Sequence, residues 1–478
     1  MSRRAAAAAL LALAVAGCAV GPNYRRPPVA DPPTFRGEAR AEPTSFADLP
    51  WWEVFHDDNL VALLREALET SQNIQAAAAR VEQARAVAGI ATDQLYPAIT
   101  VEASPSYQQT FSPVQVPGLS LNKPYQSYLL QGSLSWEIDL WGRLRRLREA
   151  ALAQYLGTEE AARGVVVSLI SDIAQSYFQL MALDLQLDIA RRTVAARRDT
   201  LALFEAQERG GVATRLQTAS EEGNLADAEA TIPTIEQAIS VLENRISILV
   251  GRPPGPVTRG DDLVRRVVPP EPPVGVPGTL LERRPDLREA EAGLVAANAQ
   301  VGAALAEFFP RLTVFGNGGV ESTSTSSLLT SGATIFGVGA ILSWLVPVLN
   351  GYQTEHKVQS QRANWNALVA TYRQALLNAL AEVSNAIGSV QRLRAQRDRL
   401  EVEVRARRET VELARIQFRA GVASYLDVVQ AEQNLFPAEL QLAQATGAQF
   451  AAIAELYRAL GGGWRNALAP PPAGPPAG

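Results

Sequence analysis

Alternating apolar and polar residues between Leu129 and Gly142 (LLQGSLSWEIDLWG) predict a β-strand with two different faces. Every second residue is apolar or small, namely Leu130, Gly132, Leu134, Trp136, Ile138 and Leu140. The residues between them are Gln131, Ser133, Ser135, Glu137 and Asp139. Because side chains alternate across a strand, one face avoids water and the other meets it. Such a strand either covers a protein core or crosses a bilayer, which ~9–11 tilted residues can do.

Three further segments show a similar alternation: Ala98 to Tyr107, Arg311 to Glu321 and Thr334 to Val346. Polar or turn-forming loops separate the members of each pair, so two hairpins are expected. Four strands are too few for a membrane barrel, which needs at least about eight, and an open edge in lipid leaves backbone groups unpaired. A membrane barrel would therefore have to be shared between chains. A soluble sheet covered by helices remains the alternative.

Two very long helices are predicted, Arg143 to Arg209 and Tyr352 to Ala420, because neither segment contains proline and both are rich in helix-forming residues. At 1.5 Å per residue each would reach ~100 Å. Apolar residues recur at spacings of three, four or seven, which indicates coiled-coil packing. Shorter helices follow, and Pro233 and Pro437 within them predict bends.

The turns after the two long helices carry matching signals. Gly211 and Gly421 suit the left-handed residue that ends a helix. Thr214-Arg-Leu-Gln217 and Ser424-Tyr-Leu-Asp427 both fit the capping box, in which two side chains satisfy free amides at the start of the next helix.

The chain consists of two similar halves. Aligning Gly211-Val212-Ala213-Thr214 with Gly421-Val422-Ala423-Ser424 gives an offset of 210 residues (421 minus 211). A proline- and glycine-rich linker separates the halves and cannot form a long helix. The predicted organisation is a signal peptide (1–17), an extended segment (18–50), a first repeat (51–251), the linker (252–279), a second repeat (280–463) and a Pro/Gly-rich tail (464–478).

The N-terminus predicts export. A short basic region precedes an apolar run that is too short to span a membrane, and small residues follow. Ala16 and Gly17 before Cys18 resemble the lipobox of bacterial lipoproteins, which implies a lipidated Cys18. The alternative is an ordinary cleaved signal with an incidental cysteine. Because Cys18 is the only cysteine, no disulfide and no second thiol is available.

Composition excludes several functional classes. The net charge is −5, with 44 basic and 49 acidic residues, so no electrostatic footprint for nucleic acid is present. Beyond the signal no uninterrupted apolar run of about 18 residues occurs, so no membrane-spanning helix is predicted. His56 and His356 lie in different halves without metal-ligand spacing. We therefore expect no enzyme activity, no cofactor and no metal site.

Several motifs together resemble the TolC/OprM family of outer-membrane efflux channels, including NodT-like lipoproteins. They are GCAVGPNYRRP at the start, the WWEVFHDDNLVALLREALETSQNIQAAAARVEQARA segment from Trp51, two YP/FP strand starts, DLWGRLRR and the GVAT and GVAS turns. The resemblance covers nearly the whole exported chain. It implies an α+β membrane protein, a TolC-like homotrimer in which four strands per chain form one twelve-stranded β-barrel, with a periplasmic coiled-coil barrel of helices and an equatorial domain.

The implied function is an outer-membrane exit channel of a tripartite efflux system. It would passively conduct drugs or other small molecules from a periplasmic adaptor and an inner-membrane pump. A lipid-anchored periplasmic adaptor or scaffold is the alternative, but it would not need four amphipathic strands. In the channel, Leu130, Leu134, Trp136, Ile138 and Leu140 would face lipid, and the polar residues between them would face the lumen.

The resemblance also assigns roles at the turns. The candidate adaptor-contact residues are Gly211, Val212, Thr214, Gly421, Val422 and Ser424. Asp427 is the candidate periplasmic gate, although its place in a capping box explains it equally well. Family members often carry a second acid three positions later, where this chain has Gln430. A ring with two acids per chain is therefore not expected.

Overall fold

A computed structural model describes residues 19–29, 32–38, 45–55, 57–108, 125–260, 263, 273–330, 333–344 and 352–464. The chain divides into two compact units. Unit 1 comprises residues 1–28, 80–159 and 289–372, and unit 2 comprises residues 29–79, 160–288 and 373–478. Each unit thus combines segments of both sequence halves.

The helices and strands follow one another twice in the same order. The first half contains α1 (Trp51–Phe55), α2 (Asp58–Thr70), α3 (Gln72–Asp93), β1 (Ala98–Gln108), β2 (Tyr125–Ile138), α4 (Arg143–Arg209) and α5 (Arg215–Val250). The second half contains α6 (Leu280–Arg283), α7 (Pro285–Ala306), β3 (Arg311–Ser322), β4 (Ala333–Ser343), α8 (Gln353–Arg419) and α9 (Tyr425–Ala459). Short 3₁₀ turns lie at Phe46–Asp48 and Pro277–Thr279.

The two long helices form as predicted. Helices α4 and α8 are each 67 residues long, and their bounds agree with the proline-free segments to within one residue. Helices α5 and α9 continue through Pro233 and Pro437, although each proline lacks the N–H that an internal position would donate. A bend at either proline stays a prediction.

The four strands form one antiparallel sheet in unit 1, in the order β1-β2-β3-β4. Ile99 pairs with Leu134, Leu134 with Gly316, and Gly316 with Val338. Directly paired residues point to the same side of a sheet. One side is therefore mainly apolar or glycine, from Val101 on β1 through Trp136 on β2 to Leu342 on β4, with polar residues such as Thr334 and Ser322 near the loop ends. The opposite side carries the polar side chains, including Thr100, Glu102, Gln131, Ser133, Ser135, Glu137, Thr313, Asn317 and Glu321.

The predicted strand ends need two corrections. Strand β2 ends at Ile138, so Asp139 and Leu140 do not belong to its two faces. Asp139 instead accepts hydrogen bonds from the amides of Leu144 and Arg145, at 3.1 and 2.9 Å, and caps the start of α4. Strand β4 ends at Ser343 rather than Val346, and Val346 lies outside the described residues.

Unit 2 is held by a mixed aromatic and aliphatic core. Tyr177 and Phe178 on α4 are almost fully buried, and Phe178 stacks on Phe450 of α9 with ring centroids 5.0 Å apart. Gly447 lets α9 lie close to α4 beside this ring pair, because an added Cβ would lie 2.5 Å from the Cβ of Ala182. The core therefore joins a helix of the first repeat to a helix of the second.

One 18-residue window of α4 is apolar enough to cross a membrane, with a mean hydropathy of 1.3. In the structure 67% of that window is buried. The buried helix of a protein core can be equally apolar, so this window does not identify a membrane span.

Candidate channel mouth and sheet base

Two glycine turns connect the long helices to their return helices, and both belong to unit 2. Gly211 has a φ of 76° and Gly421 a φ of 75°, which is the left-handed conformation that glycine adopts without strain. The amide of Val212 donates to the carbonyl of Gln207 at 2.8 Å, five residues back. This is the Schellman pattern that ends a helix, and it returns between Val422 and Gln417 at 3.0 Å.

The predicted capping boxes form at both turns with nearly equal geometry. Oε1 of Gln217 accepts from the amide and the hydroxyl of Thr214, at 2.8 and 3.1 Å. Oδ2 of Asp427 accepts from the amide and hydroxyl of Ser424, at 2.9 and 3.0 Å. A neutral amide and a carboxylate therefore fill the same structural position in the two repeats.

Large apolar side chains project from both turns into solvent. The exposed fractions are 80% for Val212, 80% for Leu216, 79% for Val422 and 70% for Leu426. Val212 corresponds to Val422 in the other repeat, and Leu216 corresponds to Leu426. Both turns therefore expose the same two apolar positions. The two valines were predicted from the sequence, whereas the two leucines were missed. Their signal was a leucine inside a capping box, at the second helical position of each return helix.

An aromatic cluster packs just inside the second turn. The ring of Tyr425 lies 4.1 Å from that of Phe204 on α4 and 5.3 Å from that of Phe418 on α8, measured between centroids. Tyr425 therefore contacts the long helices of both repeats. This packing orders the residues from which Val422 and Leu426 project.

Glu221 is a buried acid behind these turns. Only 1% of its surface is exposed, and Nδ2 of Asn224 donates to its Oε1 at 3.1 Å. Gln433 of α9 donates to Oδ1 of Asn224 at 2.7 Å, so the group joins the two return helices. Burial raises the pKa of Glu221 above its usual range, and the hydrogen bond from Asn224 only partly opposes that shift.

Asp427 is exposed beside its cap partner. Gln430, one helical turn later, is also exposed, but it carries no charge. The next acid, Glu432, is paired with Arg415 at 2.6 Å. Asp427 is thus the acid of this turn that is exposed and has no cationic partner among the described residues.

Aromatic side chains gather at the base of the sheet in unit 1. Three indole N–H groups donate to backbone carbonyls: Trp136 to Leu95 at 3.0 Å, Trp141 to Pro310 at 2.8 Å and Trp344 to Phe308 at 3.0 Å. Tryptophan is enriched where a membrane protein passes from lipid to water. This aromatic belt, Trp136, Trp141 and Trp344, lies where the helices meet the strands.

The segment after Cys18 is fixed at the same base, although Cys18 itself lies outside the described residues. Val20 donates to the carbonyl of Trp141 at 2.9 Å. Arg146, only 4% exposed, donates to Oδ1 of Asn23 at 2.9 Å. A Cβ on Gly142 would lie 2.7 Å from Cα of Ala19. The residue next to Cys18 is therefore placed directly beside the end of β2.

The structure brings together no catalytic group around His356. This side chain is exposed on α8, and Nδ1 has one contact, to Oε1 of Gln359 at 3.4 Å. His56 lies outside the described residues. Within the described part of the chain, no group of three or more His, Cys, Asp or Glu side chains is placed to hold a metal ion.

Comparison with known proteins places this architecture in a family. The outer membrane efflux protein family matches residues 63–252 and 276–462. The pyoverdine export outer membrane protein OpmQ of Pseudomonas putida is 32% identical over 443 residues, covering 91% of this chain and 93% of OpmQ. The probable outer membrane lipoprotein SilC of Salmonella typhimurium is 29% identical and covers 94% of this chain and 96% of SilC.

A solved structure supports the same assignment. The outer-membrane channel OprN superimposes with a TM-score of 0.83 at 30% identity, covering 94% of this chain and all of OprN. The chain belongs to the outer membrane efflux protein family: it has the α+β TolC-like fold and is an outer-membrane exit channel of a tripartite efflux system, extending into the periplasm.

Proposed function

We propose that three copies of this chain close their sheets into one twelve-stranded barrel and form a single passive duct. The observation that carries this proposal is the open sheet. Strands β1 and β4 each pair on one side only among the described residues, while one face of the sheet is mainly apolar or glycine. An unpaired edge cannot remain in lipid, and four strands cannot close alone.

The duct would carry drugs or other small molecules outward without performing chemistry on them. A periplasmic adaptor and an inner-membrane pump would deliver these molecules and supply the driving force. The chain would act as neither enzyme nor energy converter. The proposed repeat boundaries, 51–251 and 280–463, divide it into two halves that each give one hairpin to the barrel and two helices to the periplasmic wall.

Cys18 is the proposed lipid anchor. Its neighbour Ala19 lies beside Gly142 at the sheet base, close to Trp141 of the aromatic belt. Acyl chains on Cys18 would therefore emerge at the depth where the barrel leaves the membrane. Replacing Cys18 with serine should abolish labelling by a fatty-acid precursor, while the barrel still holds the protein in the membrane. Persistent labelling would contradict the assignment.

The two turns are the proposed adaptor contacts. Gly211 and Gly421 set the turns, Thr214 and Ser424 begin the return helices, and Val212 and Val422 project outward. We add Leu216 and Leu426 to the proposed set, because their side chains are as exposed as those of the valines. Apolar side chains held outward at four equivalent positions suit burial under the apolar tip of a partner protein.

Asp427 is the proposed charged gate. Three copies around a threefold axis would place three carboxylates at the periplasmic mouth and favour cations there. In the alternative, Asp427 only caps the helix through its hydrogen bonds with Ser424. The charge, rather than the cap, distinguishes these two functions.

The test has two steps, the first with the purified protein and the second in cells. An unheated sample should migrate as a trimer in a denaturing gel and as a monomer after boiling, and it should form conducting channels in planar bilayers. Leu216→Asp should keep both properties but lose drug efflux in cells. Ser220→Asp adds the same charge one turn further along α5 and should retain efflux. A monomer that does not conduct would contradict the proposal, and equal efflux in both variants would contradict the contact assignment.

A further inference from the structure

A cavity of about 430 Å³ lies in unit 1 between the N-terminal segment and two helices. Its walls are formed by Pro22, Asn23 and Arg25 of the segment, by Asn298 and Val301 of α7, and by Arg362, Trp365 and Asn366 of α8. The carbonyl of Pro22 accepts from Nδ2 of Asn298 at 2.8 Å. Together with the bond from Arg146 to Asn23, this contact holds the segment in place and gives the cavity a fixed wall.

The charges around the cavity have one sign. Arg25 and Arg362 both line it, and no acidic residue does. Within the described residues neither guanidinium forms an ion pair, whereas nearby Arg26 forms a bidentate pair with Glu291, with both distances at 2.7 Å. Both arginines are exposed to solvent, and two like charges that line one cavity favour an anion between them. Guanidinium is the side chain best matched to phosphate oxygens.

The remaining lining residues suit a ligand larger than a bare ion. Asn366 has no hydrogen-bond partner among the described residues, and the indole N–H of Trp365 is buried without one. Trp365 and Val301 provide apolar surface beside the polar groups. A volume of about 430 Å³ exceeds what phosphate alone fills and leaves room for a glycerol or ethanolamine moiety.

The position of the cavity favours a phospholipid headgroup over free phosphate as the ligand. Asn23 is bonded to Arg146, three residues after α4 begins at Arg143, and Val301 lies five residues before the end of α7. At 1.5 Å per residue both lie less than ~10 Å from where the helices meet the sheet base. The polar layer on each side of a bilayer is ~5–8 Å thick. Arg362 lies nine residues after α8 begins at Gln353, ~14 Å along the helix, and a long arginine side chain can extend its guanidinium towards the headgroups. The cavity therefore lies just beneath the headgroup layer next to the aromatic belt.

We propose that this cavity binds the phosphate of an inner-leaflet phospholipid, held between Arg25 and Arg362. This inference rests on the proposed membrane placement of the sheet. The phospholipid would fix the N-terminal segment against α7 and α8 and add a second, non-covalent lipid contact to the one at Cys18. The site would be separate from the duct and from the periplasmic turns.

The test is native mass spectrometry of the full-length trimer in detergent, titrated with phosphatidylglycerol. The wild-type protein should retain the phospholipid, and Arg362→Gln and Arg25→Gln should each weaken retention at least tenfold. Arg373→Gln removes an exposed arginine further along α8 and should bind like the wild type. Conductance is measured for every variant, since a channel that conducts but retains no phospholipid refutes this site alone. A protein that does not conduct refutes the proposed function instead.

Two further titrations identify the source of the phosphate. Diacylglycerol, which has the same tails without phosphate, should not be retained. Inorganic phosphate should displace phosphatidylglycerol only at concentrations at least a hundredfold higher. Retention of diacylglycerol, displacement by phosphate at matched concentration, or equal retention by wild type and Arg362→Gln would each overturn the proposal.

Discussion

Replacing Asp427 with glutamine separates the charge at the proposed mouth from the helix cap. The equivalent position in the first repeat is already a glutamine, Gln217, which accepts from the amide and hydroxyl of Thr214 at 2.8 and 3.1 Å. Asp427 caps Ser424 with distances of 2.9 and 3.0 Å. The amide oxygen of glutamine therefore reaches the same two donors at this position of the fold. Asp427→Gln should keep the turn and remove one negative charge per chain.

The two contributions differ in size and in their dependence on salt. Losing a cap costs ~0.5–2 kcal/mol, but here the cap is retained, so the free energy of unfolding should change by less than ~1 kcal/mol, mainly through the helix dipole. A cation passing at ~6 Å from a carboxylate gains ~0.7 kcal/mol in water. Three carboxylates would thus favour cation occupancy by roughly 30-fold before screening. In 1 M salt, where the Debye length is ~3 Å, most of this preference disappears.

The assay is the reversal potential of single channels under a salt gradient. At ~0.1 M salt, Asp427→Gln should lose most of the cation preference of the wild type, and at 1 M the two proteins should differ little. Gln217→Glu is the converse control, because it adds the charge to the first turn and keeps a cap. If Asp427→Gln has wild-type selectivity at low salt, then Asp427 is a helix cap and not a charged gate.

Two other substitutions test the buried acid and the sheet faces. Because burial raises the pKa of Glu221, folding favours its neutral form. The free energy of unfolding is therefore not reduced by this group below its unfolded-state pKa of about 4.5, and it decreases as the pH rises through the pKa of the folded state. Glu221→Gln should therefore raise the melting temperature at pH 7 and have little effect near pH 4, and an equal effect at both pH values would refute this reasoning. Leu134→Lys on the apolar face should cost ~2–4 kcal/mol per chain and lower the yield of folded trimer, whereas Ser135→Lys should be tolerated; equal yields would show that the face assignment is wrong.

The parts of this fold that were predictable are those set by local chemistry. Proline-free segments gave α4 and α8 their bounds, and period-two alternation located all four strands. The glycine and capping-box pairs located both turns. In each case the determining residues lie within a few positions of the structure that they specify, so one sequence window contains the whole signal.

The parts that were missed depend on partners distant in sequence or on competing roles. Asp139 continued the polar alternation of β2, but it caps α4, and only the position of Leu144 reveals that role. Arg25 and Arg362 share one cavity although 337 positions separate them (362 minus 25). The burial of Glu221 follows from packing with α9, and no pattern within α5 distinguishes it from the exposed acids of the same helix.

Cross-linking β1 to β4 tests whether three open sheets close into one barrel. Within one chain these edge strands are separated by two others, or ~14 Å at the usual spacing, whereas a disulfide requires Cα atoms within ~7 Å. In a Cys18→Ser background, Val101→Cys is combined in turn with Phe336→Cys, Val338→Cys or Ala340→Cys. Val101→Cys with Gly132→Cys, which are direct partners within a chain, is the control and should stay monomeric.

Oxidation of the membranes, followed by a boiled, non-reducing gel, gives the decisive result. If the barrel closes in this way, at least one β1–β4 pair should give a covalent trimer and no larger product, because a closed ring of three chains has no free edge. Only monomers from every pair, or a ladder extending beyond the trimer, would contradict it.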